Sequence, residues 1–231
     1  MSSLHILSGG AAQGLVQQLR GSFYNETGRA IEGSFGAVGA MRDKLLAGEP
    51  CDVLILTQPL IDELTVAGRV APGSARALGR VRTGVAVKTG EAAPRVDTPG
   101  ALKAALLAAR GLYFPDPHKA TAGIHFMNVL KRLGVEQQLA SVLRTYPNGA
   151  TAMKAMAEAE GPGLIGCTQV TEIRYTPGVQ LVAMLPKEFE LATVYTAAVT
   201  SKAEQPQAAR MLIDLLASPT AAELRRAGGF E

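Results

Sequence analysis

Apolar positions along this chain switch repeatedly between two periods, short buried runs and stretches with an apolar residue every third or fourth place. Residues 5–8 predict a short strand, and residues 11–27 a helix that Gly28 closes as a left-handed C-cap. A strand over 30–34 and a helix over 37–47, closed by Gly48, come next. The run Asp52-Val53-Leu54-Ile55-Leu56 predicts a buried strand. Pro59 opens a helix that runs to Ala67 and stops at Gly68. Further on, the pattern predicts a strand over 84–88 and a helix starting at Thr98-Pro99-Gly100, with Thr98 as N-cap and Pro99 in the first position. A strand over 111–114, a helix over 123–133, and strands over 164–167, 179–185 and 194–199 follow. An amphipathic helix over 206–217 and a short tail helix end the series. Strands alternating with helices at this spacing indicate largely parallel sheets with helices on both faces.

The first strand runs straight into "ILSGGAAQGL", residues 6–15. Leu7-Ser8-Gly9-Gly10 looks like the start of the signature sequence of ABC-transporter ATPases, and Gly9 and Gly14 have the spacing of a phosphate loop. A phosphate loop needs Lys-Ser or Lys-Thr after its last glycine, because that lysine reaches the terminal phosphates. Leu15-Val16 stands there instead, so the nucleotide reading fails. What remains is a turn whose unpaired N–H groups and helix dipole favour an anion. The pattern recurs at Gly33-Ser34-Phe35-Gly36-Ala37. It recurs again at His118-Lys119-Ala120-Thr121-Ala122-Gly123, after Pro115-Asp116-Pro117. Three helix starts built from small and hydroxyl residues predict close approach to a small anionic ligand.

Composition narrows the partners. The 231 residues are 47% hydrophobic and 19% charged with a formal net charge of +3, enough for one large domain or two lobes of roughly a hundred residues each. The charge is spread along the chain, Trp is absent and aromatics are 5%, which excludes nucleic acid as the expected partner. Cys51 and Cys167 lie far apart, without a CxxC or Cys/His cluster, so no metal and no cofactor is expected and both thiols read as buried and inert. No apolar run approaches the roughly 18 residues of a membrane span, so no membrane insertion is expected. No basic region leading into an apolar stretch opens the chain. The expected location is the cytoplasm, or the periplasm if an export signal has been removed.

In this order, the motifs resemble the type II periplasmic-binding-protein superfamily in its molybdate-binding-protein-like branch. The carriers are "SGGAAQG" after the first strand, "GSFGAVGAMRDKLLAGEPCDVLIL", "FPDPHKATAGIHFMNVLKRLG", "GPGLIGCTQVTEI" and "LVAMLPKEFE", so the likeness spans nearly the whole chain. It implies two α/β lobes joined by two crossing strands that act as a hinge: residues 1–82 with 193–231, and 83–192. The sheets would be mixed and mostly parallel. The ligand would be clamped between the lobes by helix N-termini, with an ABC-transporter permease as partner if the protein is exported.

Carried over by position, the resemblance implicates Ser8, Ser34, Ala122, Asn148 and Gly166. The neighbouring turn residues Gly9, Gly10, Ala11, Gly36, Thr121 and Gly123 complete the expected ligand set. Three departures matter: Phe35 stands in place of a second Ser, Gly166 in place of a ligand-binding Tyr, and Asn148 in place of a Val. A lost hydroxyl and a gained ring argue for a larger, carboxylate-bearing ligand, its carbon skeleton against Phe35 and with donors from Asn148, Thr168 and Gln169. Lys119, Arg42 and Arg174 are the candidate cations. Aconitate isomerases resemble the same branch, and they move a proton along an allylic system without a cofactor. That alternative needs a base, for which His118 and Glu172 are the candidates, with His125 one turn position further on.

Overall fold

The computed structural model describes residues 3–231, and the chain divides into two compact units, Met1–Val81 with Thr193–Glu231, and Arg82–Ala192. The first unit begins with β1 (Leu4–Gly9), a single 3-10 turn (Gly10–Ala12) and α1 (Gln13–Thr27). Next come β2 (Ile31–Gly36), α2 (Val38–Leu46), β3 (Val53–Thr57) and α3 (Gln58–Val66). The long strand β4 (Arg76–Lys88) carries the chain into the second unit.

That unit contains α4 (Pro99–Ala108), β5 (Gly111–Pro115), α5 (Thr121–Arg132), the one-turn α6 (Glu136–Leu139) and β6 (Leu143–Tyr146). It continues with α7 (Gly149–Glu158), β7 (Leu164–Gln169), α8 (Val170–Tyr175) and β8 (Val179–Met184). The return passes along β9 (Ala192–Val199), and α9 (Pro206–Ala217) and α10 (Ala222–Gly228) complete the first unit. The fold is mixed α/β with helices alternating with strands, as the periodicity predicts.

In the first unit the strands run in the order β2-β1-β3-β9, parallel except for β9, which lies antiparallel to β3. β3 reads as an unbroken apolar run because all five of its residues are buried, the signature of a strand covered on both faces. α9 adds Ala208, Ala209, Leu212, Ile213 and Leu216 to the same core. Each large aliphatic side chain fully removed from water there contributes about 1.5–3 kcal/mol. Asp52, 2% exposed, ties three elements together, because its carboxylate accepts from the backbone N–H of His5 and of Gln205, each at 2.9 Å.

The second unit's order is β4-β7-β5-β6, with β8 also paired to β4. β5 is parallel to β6 and β7, and β4 is antiparallel to β7 and β8. Leu102, Leu106, Phe114, Phe126 and Val129 form its core, where the Phe114 and Phe126 rings meet edge to face at 5.2 Å.

Several elements extend beyond the sequence reading. β4 starts at Arg76, where alternating Arg and apolar residues hide the strand. β2 continues to Gly36 through a segment the sequence reads as a turn, and β7 continues to Gln169. α7, α8 and β6 are not foreseen. α7 buries Gly149, Ala152, Met153 and Met156 at helical spacing, but small residues carry much of that stripe.

Candidate functional site

In the first unit β1 and β2 end side by side, with Ser8 registered against Phe35 and Gly9 against Gly36. Residues so registered in neighbouring parallel strands share a face. Ser8 is fully buried and its hydroxyl donates to the Gly9 carbonyl oxygen at 2.9 Å. Gly9 cannot carry a side chain without a local shift: a Cβ there would lie 2.9 Å from Val38 Cγ1 and 3.1 Å from Tyr195 Cε1. Gly10 and Ala11 then open the 3-10 turn, which no side chain caps, so its first N–H groups lack partners within the helix.

Phe35 is half-buried against the first unit's core, and its ring lies 3.0 Å from where a Cβ of Gly33 would stand. Gly36 leads into Ala37, the N-cap of α2, again without a side-chain cap bond. Ser34 lies on the other face of β2 and is engaged there. Its Oγ is 3.3 Å from Lys44 Nζ and 3.4 Å from Glu49 Oε1, and those two groups pair at 3.0 Å. Arg42 is occupied by Asp43 at 3.2 Å.

In the second unit β5 ends in a turn built by Asp116. Its Oδ1 accepts from the backbone N–H of His118 at 2.6 Å and of Lys119 at 3.0 Å, an arrangement Asp favours in turns. The side chains of His118 and Lys119 are exposed. α5 follows at Thr121, with Ala120 supplying no side-chain cap and Ala122 and Gly123 buried. Only glycine fits at 123, because a Cβ would lie 2.2 Å from the Pro115 oxygen and 2.3 Å from that of Asp116. The first-turn N–H groups of α5 thus have no side-chain cap.

The start of α7 differs because the protein fills it. Asn148 Oδ1 accepts from the Thr151 N–H at 2.9 Å. Glu172, 5% exposed, accepts the Thr168 hydroxyl hydrogen at 2.5 Å and further hydrogen bonds from the backbone N–H groups of Ala150, Gly149 and Gln169. Burial pushes the Glu172 carboxyl above its usual range, although these hydrogen bonds pull the other way. A carboxylate so engaged anchors β7, α8 and α7 to one another.

At the end of β7, Gln169 is 2% exposed and neither end of its amide has a hydrogen-bond partner. The same holds for the hydroxyls of Thr83, its register partner on β4, and of Thr171. The other placements are plainer. Gly166 could not become Tyr without displacing Met153, whose Cε lies 2.5 Å from a Cβ built there. His125 Nε2 is bound to the Phe189 carbonyl oxygen at 2.7 Å, and Arg174 is exposed.

Sequence reasoning missed two residues. Tyr195, 3% exposed against Gly9, sits inside a predicted strand with no local signal. Thr83 immediately precedes the predicted strand 84–88 and belongs to β4. Both thiols are free and buried. Among the described residues no His, Cys, Asp and Glu group of three or more could hold a metal, and no helix is long and apolar enough to cross a membrane.

Comparison with known proteins accords with this architecture. Over its whole length the chain is 27% identical to a protein named aconitate isomerase from Pseudomonas sp., covering 88% of that relative. Its fold is that of periplasmic binding proteins. The periplasmic molybdate-binding protein of Azotobacter vinelandii superposes with a TM-score of 0.82 at 20% identity, covering 99% of both chains. The sulfate-binding protein SubI of Mycobacterium tuberculosis does so at 0.76 and 16%, covering all of this chain and 86% of the other. The signature described as bacterial extracellular solute-binding protein matches residues 4–231, and the chain belongs to that family.

Proposed function

We propose that this protein binds a small organic polycarboxylate. The observation that carries the reading is the first turn of α5, where Thr121, Ala122 and Gly123 present backbone N–H groups without a side-chain cap. Such a helix end attracts negative charge. Lys119, exposed on the preceding turn, adds a cation within the same loop. Taken by itself, the first unit also has an uncapped small-residue helix start at Ser8–Ala11, with the half-buried Phe35 ring beside Ser8. The full-length likeness to a protein named for a tricarboxylate supports the same class. We infer delivery of the bound solute to a membrane permease, a role compatible with a family described as extracellular solute-binding.

The test is a thermal-shift screen of the purified protein against molybdate, tungstate, sulfate, phosphate and a series of di- and tricarboxylates. A ligand that binds only the folded state raises the melting temperature. Stabilisation by a polycarboxylate is the expected result, and stabilisation by molybdate or tungstate alone overturns the reading.

A second reading, cofactor-independent isomerisation of an unsaturated tricarboxylate, is favoured by the same relative's name. It requires a base that shuttles a proton between two carbons. His118, whose side chain is exposed at the α5 turn, is the freer of the two candidates, since Glu172 is held by four donors. Proton NMR of cis- and trans-aconitate in heavy water tests it: interconversion with deuterium uptake is expected, and unchanged spectra remove catalysis.

A further inference from the structure

The start of α7 is closed by Glu172, whereas Gln169 is left open at both ends of its amide. Gln169 lies at the C-terminal end of β7, on the face shared by Ile165 and Cys167, which belong to one core with Phe126 and Val129 of α5. The parallel pairing sets Tyr113 of β5 opposite Gly166 of β7, so Gln169 stands level with the Pro115–Asp116 turn that the start of α5 packs against. Thr83, its antiparallel partner, points from the same face and is 1% exposed. The backbone around Thr83 is paired, with its N–H donating to the Leu191 oxygen and its oxygen accepting from the Leu185 N–H, both at 3.1 Å. The unmet bonding is therefore confined to side chains: an amide with a free donor and a free acceptor, and a hydroxyl that can act as either. Exchanging the amide's oxygen and nitrogen leaves the conclusion unchanged.

A fully ionised oxyanion or carboxylate offers acceptors only. It would satisfy Nε2 and set a negative oxygen against Oε1, leaving a buried acceptor unpaired. An alcohol both gives and takes a hydrogen bond. We propose that Gln169 and Thr83 form a subsite for an alcohol group, so that the ligand is a hydroxy-substituted polycarboxylate. A carboxylate would bind at the start of α5, and the hydroxyl would bridge the amide and Thr83. This rests on the polycarboxylate reading above and adds the hydroxyl to it. The discrimination is steep because a site built to bond a hydroxyl strands its own polar groups when the analogue lacks one.

The experiment is calorimetric titration with citrate and with tricarballylate, which differ by one hydroxyl, on the wild-type protein and on Gln169→Met and Thr83→Val. The wild type is expected to bind citrate at least tenfold more tightly, and the preference is expected to fall to within about twofold in either variant, with tricarballylate affinity kept. Thr83→Val preserves shape, which guards against a folding defect in the other variant. Equal affinity for both ligands in the wild type, or a preference that survives both substitutions, overturns the hydroxyl subsite while the polycarboxylate reading stands. Binding of neither ligand overturns both.

Discussion

Gly149 and Glu172 are in such close contact that a Cβ built on the glycine would lie 2.0 Å from the glutamate's Oε2, and equally close to Thr168 Oγ1. The missing side chain is what lets a carboxylate from α8 reach the first N–H groups of α7.

Gly149→Ala therefore tests this contact by its sign. In an open helix the change would stabilise by up to about 1 kcal/mol. Here the methyl forces Glu172 and Thr168 aside, and urea denaturation is expected to report a loss of about 1–3 kcal/mol. A neutral or stabilising effect would show that the contact is loose.

Glu172 also gives stability a pH dependence. Its carboxyl is raised above the ordinary range chiefly by burial, so the folded state holds this proton more tightly than the unfolded chain does. The resulting stability is fully present below the unfolded value of about 4.3 and is lost as pH rises through the higher folded value. Denaturation midpoints of wild type and Glu172→Gln across that interval should converge on different slopes, with the decline flatter in the variant. Parallel curves would assign the dependence to other groups.

Ala122 is 2% exposed in the first turn of α5. Ala122→Leu is expected to weaken binding of the best ligand found in the screen by at least tenfold, about 1.4 kcal/mol. Calorimetry on a variant with a native circular dichroism spectrum makes the comparison. Unchanged affinity would remove this helix start from the site.

The two thiols should be silent until the chain opens. Burial pushes Cys51 up to about 12, with Asp52 and Glu49 adding to the effect against a backbone hydrogen bond from Leu7, and burial pushes Cys167 up as well. The thiolate is the reactive form, so a disulfide reagent at neutral pH should label neither in the native protein and both in urea. Prompt native labelling at one site would mean that its surroundings open readily.

What the sequence made legible follows the strength of its local signals. β3, buried along its length, and α9, with a full apolar face, are visible as patterns. The glycine turns mark the helix starts because Gly123 meets a steric demand that only glycine meets and Gly9 stands close against Val38 and Tyr195. β6 stayed hidden because it buries none of its four residues, and α7 because its face relies on Gly149 and Ala152. The candidate site was harder still. Asn148, Thr168 and Glu172 are individually conspicuous, but it is the bonding of Glu172 to Thr168 and to the N–H groups of Gly149 and Ala150 that joins α7 to β7 and α8, and no local period reports that. Ser34 has the right type and neighbours, yet its partners Lys44 and Glu49 come from beyond the turn.

The unit boundary has a consequence for biosynthesis. β3 finds its antiparallel neighbour in β9, and β1 and β3 share one core with helix α9, whereas every strand pairing among β5, β6 and β7 closes within Arg82–Ala192. On the ribosome the inserted segment is complete while its surrounding partner still lacks residues 193–231. The early strands β1 to β3 must then wait with an exposed apolar edge, the state in which a nascent chain most needs a chaperone.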